Sequence, residues 1–205
     1  MKLKNWLLMI LAALMLLCAC ACRGSVPDPA KPDETDGMGL TQEQRARIER
    51  LASAFRLFGD CDAAKGIQLM SCERMIYCWY TGEIGESEVE GYGCVPAEDA
   101  FKTLSSIFSG LDFSGMIRTK YDPSEEQELF VIRDNYYVKC TDLSAFTYEI
   151  TSAKELADAD GKAYGTGVTV GVFENGTEMC SMELDLIPHE ESVYSVVRCE
   201  THFNY

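Results

Sequence analysis

The chain is short of the residues that announce a chemistry. It has two histidines, His189 and His202, in 205 residues. It contains no HExxH, no GxSxG and no glycine-rich phosphate loop, so the motifs of a zinc protease, an α/β-hydrolase and a nucleotide-phosphate cradle are missing. Its 10 cysteines include no CxxC pair, and no metal site is expected from them. No internal repeat is present, and nothing in the composition implies a cofactor. Basic residues are scarce, with 18 Lys and Arg against 33 Asp and Glu for a formal charge of −15. Such a surface repels phosphate backbones and anionic lipid heads, which excludes nucleic acid as a partner. Any attachment to a membrane must then be covalent, because no basic face is available to make it. Acidic residues are absent before Cys20, where Lys2 and Lys4 are the only charges.

What is there begins with a leader. Met1-Lys2-Leu3-Lys4-Asn5 is a basic start, Trp6 through Leu17 is an unbroken apolar run, and small residues follow. That order is a secretory signal. Trp6–Cys22 lies at the lower edge of the roughly 17–25 apolar residues that cross a bilayer, so an uncleaved membrane helix is the competing reading. Leu17-Cys18-Ala19-Cys20 resembles the bacterial lipobox, with Leu three places before the cysteine and a small residue just before it; Cys18 departs from the small residue usual at the middle position. The resemblance implies diacylglycerol on the Cys20 thiol, cleavage between Ala19 and Cys20, and an acyl chain on the new amino terminus. Cys22 ranks second as the lipidated residue. Two or more acyl chains hold a protein on a membrane durably, whereas a single chain of about fourteen carbons does so only marginally. Residues 1–19 are thus expected to be a lipoprotein signal peptide and 20–39 a tether, because Arg23–Gly39 carries three of the six prolines and no apolar periodicity. Residues 40–205 are expected to form one domain.

The first half of that domain has helical periodicity. Leu40–Phe58 opens on the capping box Thr41/Gln44 and repeats Ile48, Leu51, Ala52, Phe55 and Phe58 at helical steps before Gly59. A second helix is predicted over Asp62–Tyr80, with Ile67, Leu69, Met70, Ile76, Tyr77 and Tyr80 apolar and Gly82 as its stop. Glu83–Cys94 reads as an acidic, glycine-rich loop. Pro96 suits the first position of a third helix whose buried face runs from Ala97 to Leu111. From Met116 the pattern turns to strands: Met116–Tyr121, Glu128–Arg133, Tyr136–Cys140, Phe146–Leu156, Ala163–Phe173, Glu178–Ile187 and Val193–Phe203. Turns are marked by Asp122-Pro123-Ser124, Asp160-Gly161, Asn175-Gly176 and Pro188–Glu191. The expected architecture is α+β, with three N-terminal helices packed on a curved antiparallel sheet of five to seven strands. That order resembles the NTF2-like fold, with a cystatin-like sheet wrapped on a helix as the alternative. The chain as a whole is similar to small cell-surface lipoproteins of Gram-positive bacteria, which implies an extracytoplasmic location but no activity.

Each residue with a chemical reading also has a plainer one. Cys140, Cys180 and Cys199 alternate with Val138, Met182 and Val197 on the apolar faces of their strands, and they read as small hydrophobes rather than a disulfide framework. Asp158-Ala159-Asp160-Gly161 hints at a calcium loop, but Leu156 and Gly167 stand where further acids are needed, and a hairpin turn is the better reading. A cysteine nucleophile needs a base, and nothing local pairs a cysteine with His189 or His202. Glu125-Glu126 and Glu190-Glu191 fall in turns and read as solvated surface. Met75–Tyr80 is the richest aromatic stretch; core packing explains most of it, while Trp79 and Tyr80 are candidates for the mouth of a pocket. The functional expectation is a non-catalytic binding domain whose partner is a small molecule, a peptide or an envelope protein. A cavity-bearing NTF2-like enzyme and a structural role in envelope assembly are the alternatives.

Overall fold

The structure is a computed structural model that describes residues 37–67, 69–113 and 115–204. The leader, Cys18, Cys20, Cys22 and the tether up to residue 36 lie outside the described residues, as do the side chains of the expected apolar positions Leu69 and Met70. No described helix is long and apolar enough to cross a membrane.

Helix α1 spans Gln42–Phe58. Its capping box closes as the sequence predicts: Gln44 N–H donates to Thr41 Oγ1 at 3.1 Å and Thr41 N–H to Gln44 Oε1 at 2.8 Å. Ile48, Leu51, Ala52, Ala54 and Phe55 are buried, and Gly59, at φ 96°, ends the helix by donating to Phe55 O. The predicted second helix begins later than expected. Asp62 accepts from Ala64 N–H and caps a short 3-10 turn, Ala63–Lys65, and Gly66, at φ 88°, leaves the right-handed region. Cys61–Asp62 instead form a two-residue strand, β1, and helix α2 runs only over Leu69–Tyr80. Part of the expected loop is also strand, because Tyr92–Pro96 form β2. Helix α3 is Ala97–Ile107, with Pro96 one place before it and Glu98 and Asp99 in its first turn.

Met116–Tyr121 is not a strand, which corrects the sequence reading. It makes one parallel bridge, Lys120 to Val131, because side chains take its backbone partners. Glu73 binds the Thr119 N–H at 2.7 Å, Gln127 Oε1 accepts from Asp122 N–H, and Gln127 Nε2 donates to Lys120 O. The remaining strands stand close to their predicted places: β3 Leu129–Ile132, β4 Asn135–Lys139, β5 Phe146–Ala157, β6 Ala163–Glu174, β7 Thr177–His189 and β8 Val193–Phe203. Asn175 and Gly176, both at positive φ, make the two-residue turn between β6 and β7. At the preceding hairpin Asp158 Oδ1 accepts from Asp160 and Lys162 N–H groups, so that carboxylate is spent on its own turn.

The fold is α+β, but its strands form two sheets rather than one, and β1 and β2 fall between helices, so the helices are not all N-terminal. The large antiparallel sheet has the order β1-β8-β7-β6-β5, and the small one has β2-β4-β3. Val168, Val170 and Val172 on β6, Met182, Leu184 and Leu186 on β7, and Tyr194, Val196 and Cys199 on β8 join the helices in one core. The exposed Glu183 and half-buried Asp185 alternate with them on the wet face. A bulge corrects one detail of that alternation. Leu186 pairs with Val196 and Asp185 with Arg198, so Val197 is the extra residue, and Val196 rather than Val197 shares the buried side with Cys199. The small sheet turns Val95, Tyr136, Val138 and Leu129 to the same core. Its other face carries a separate aromatic stack, in which Phe130 lies parallel to Tyr137 at 5.3 Å and tilted against Tyr92 at 5.0 Å and Tyr121 at 4.8 Å.

Candidate functional site

Beside α3 the core leaves a cleft of mixed lining unfilled. Gly110, at φ 80°, lets the chain double back after α3, and a turn closed by Met116 N–H on Phe113 O follows. Between α3 and the returning chain lies a cleft of about 310 Å³ lined by Phe101, Ser105, Leu111, Asp112, Phe113, Met116 and Arg118. That volume is at the lower end of small-molecule sites, roughly 300–1,000 Å³. Phe113 and Met116 are buried, while Phe101 and Leu111 are half-buried. Arg118 stands over the Phe101 ring with its guanidinium carbon 5.1 Å from the centroid and makes a 3.3 Å ion pair with Asp134. The floor is rigid. Glu73 of α2, itself buried, accepts from both Thr119 N–H (2.7 Å) and Thr119 Oγ1–H (2.6 Å). Tyr136 meets Phe101 edge-on at 6.4 Å, and its buried hydroxyl has no hydrogen-bond partner among the described residues. Asp112, Asp134 and Glu73 outnumber Arg118, so this neighbourhood does not favour an anion.

Trp79 and Tyr80 sit elsewhere, at the C-terminal end of α2, and line none of the clefts described here. Trp79 is half-buried beneath two arginines of α1, Arg47 at 4.9 Å and Arg50 at 4.5 Å from its ring centroid. Arg50 also donates to Trp79 O and pairs with Glu83. Arg47 donates to Tyr194 O at 3.1 Å and to Ser106 O at 2.9 Å; burial, and next the neighbouring Arg50, push its pKa down to about 10. Ser106 O, in the last turn of α3, also accepts from Ser195 Oγ at 2.9 Å and Ser192 Oγ at 3.2 Å. These contacts join α1, α3 and β8, which is a structural task. Tyr80 Oη bonds Thr103 Oγ1 at 2.6 Å and ties α2 to α3.

Burial disfavours the thiolate at five of the described cysteines. Burial pushes Cys61 up to about 12 and Cys72 and Cys78 up to about 11, and it also raises Cys180 and Cys199, whereas a reactive cysteine needs a stabilised thiolate. Cys180 is buried beside Met182 as the alternation predicts, while Cys140 follows β4, is half-buried and donates to Ile84 O. His189 Nδ1 accepts from Glu191 N–H at 3.2 Å, and the Ser192 hydroxyl lies 3.0 Å from the same nitrogen. That contact closes the β7–β8 turn. His202 faces Glu183 at 3.8 Å. Among the described residues no three His, Cys, Asp or Glu side chains converge to hold a metal ion. The lining of the cleft carries no motif. Phe101 and Leu111 read in sequence as core positions, and Arg118 as one charge in a supposed strand. Comparison of the chain with protein-family models, curated proteins and solved structures yields no match.

Proposed function

We propose that the chain is an extracytoplasmic lipoprotein, anchored through Cys20, whose α+β domain binds a small and largely apolar ligand in the cleft between α3 and Leu111–Arg118. The anchoring half of this reading is supported by the leader and by Leu17-Cys18-Ala19-Cys20. The binding half is carried by the convergence of Phe101, Leu111, Phe113 and Met116 around unfilled space, with Arg118 at the rim. The NTF2-like comparison belongs with this proposal. Helices against one face of the β5–β8 meander support it, and the three-stranded sheet is an addition to that plan.

The test is a titration of the full chain, labelled with 13C at its methionine methyls, with p-cresol, an aromatic with one neutral polar group. The Met116 methyl resonance, assigned through Met116→Leu, should shift saturably while that of the core residue Met182 stays in place. Leu111→Asp should abolish the shift. A titration that moves neither methyl, or both alike, contradicts the cleft as the binding site.

A further inference from the structure

Two thiols outside that cleft face each other. In the β1–β8 pair Cys61 is the direct partner of Cys199, and Asp62 that of Arg198. Directly opposed residues of an antiparallel pair have Cα atoms roughly 4.5–5.5 Å apart, inside the roughly 4.4–6.8 Å that a disulfide spans. Cys61 is half-buried and Cys199 buried, yet both line an open cleft of about 480 Å³ together with Asp60, Lys65 and Glu200, so a small reagent has a way in. Among the described residues no other cysteine is opposed in this way; Cys180, on the neighbouring strand, is opposite Phe203. The position also matters mechanically. β1 is two residues long and lies at the sheet edge, where it fastens the α1–α2 connection to the last strand. Its nearest reinforcement is the bond from Thr201 N–H to Asp60 Oδ1 at 2.8 Å.

We propose that Cys61 and Cys199 are a redox couple that closes into a cross-strand disulfide when the protein meets a low-molecular-weight disulfide as oxidant. The Cys61 thiolate attacks one sulfur of the oxidant, forms a mixed disulfide and releases one small thiol. The Cys199 thiolate then attacks Cys61 Sγ and releases the second. Two electrons and the two thiol protons pass from the protein pair to the oxidant, which leaves as two thiols. Burial holds both protein thiols in the protonated form, so closure is slow at neutral pH and quickens as the solution becomes alkaline. The extracytoplasmic location proposed above supplies an oxidising setting, but the pairing itself does not depend on it.

The test uses the full chain in mild detergent, incubated with oxidised glutathione at mildly alkaline pH, alkylated and digested without reductant. The expected product is one cross-linked peptide pair joining Cys61 to Cys199, reversed by dithiothreitol. Because the bond closes a long loop, Tm should rise by about 5–15 °C on oxidation. Cys61→Ser should abolish both the link and the rise in Tm. Links among other cysteines, glutathione retained on Cys61 without closure, or no reaction of the folded wild-type chain would each overturn the proposal.

Discussion

Tyr136→Phe removes one hydroxyl and leaves the ring in place, and the structure predicts that the change stabilises the protein. Tyr136 is fully buried, and its oxygen has no hydrogen-bond partner among the described residues. A buried polar group left unpaired costs about 1–3 kcal/mol, a penalty the wild type carries and the variant does not. Part of it is offset where the hydroxyl dipole meets the Glu73 carboxylate, so a net gain of about 1 kcal/mol is expected. Tyr80→Phe is the matched control. There the hydroxyl makes a 2.6 Å bond to Thr103, and its removal should destabilise by about 1 kcal/mol. The two variants should differ by about 2 kcal/mol, or about 4–8 °C in Tm for a domain of this size. Urea unfolding of each full-length variant, with the slope m checked for constancy, gives the comparison. A Tyr136→Phe variant less stable than wild type by 1 kcal/mol or more would refute the reasoning, because it would mean that the hydroxyl is satisfied in solution, for instance by a molecule held beside Phe101.

Two further outcomes follow from packing and titration. A Cβ at Gly93 would lie 2.4 Å from Ile84 Cγ2 and 2.8 Å from Gly85 O; Gly93→Ala should therefore destabilise by about 2–3 kcal/mol, and adding Ile84→Ala should recover only part of the loss because the carbonyl clash persists. In reductant, stability should fall as pH rises above 9. Cys61, Cys72 and Cys78 keep their protons to about 12, 11 and 11, while the unfolded thiols release theirs at about 8.5–9. The folded state then binds more protons, so each thiol withdraws about 1.4 kcal/mol per pH unit until its folded pKa is reached. Urea midpoints that stay level from pH 8 to pH 10.5 would contradict the burial of these groups.

The two halves of the domain differ in how far local pattern determined structure. In α1 the cap, the apolar spacing and Gly59 all point the same way, and the helix is where they place it. Strands β5, β6 and β7 are joined at Gly161 and at Asn175-Gly176, which accept positive φ, so their places followed from pattern, whereas the bulge at Val197 in β8 did not. Where a long-range partner decides, local reading fails. Met116–Tyr121 has strand composition, but Glu73, 46 residues away from Thr119, takes the backbone donor that a neighbouring strand would have used. Tyr92–Pro96 became a strand because Asn135–Lys139 pairs with it, which its glycine-rich surroundings do not announce. The cleft was hidden for the same reason: Phe101, Leu111 and Met116 look like any core residues until the chain reversal at Gly110 leaves space between them.

One measurement addresses the central claim, an anchored domain with an occupied cleft. The full-length gene product is expressed in a bacterial host that processes lipoproteins, purified from its membranes and weighed intact, first denatured and then under native conditions. The account predicts a denatured mass equal to residues 20–205 plus a diacylglyceryl group and a further acyl chain. It also predicts a native mass higher by a small and reproducible increment, the captured ligand, that is lost in Leu111→Asp. An unprocessed and unacylated chain whose native and denatured masses are identical would contradict both the anchor at Cys20 and the ligand in the cleft.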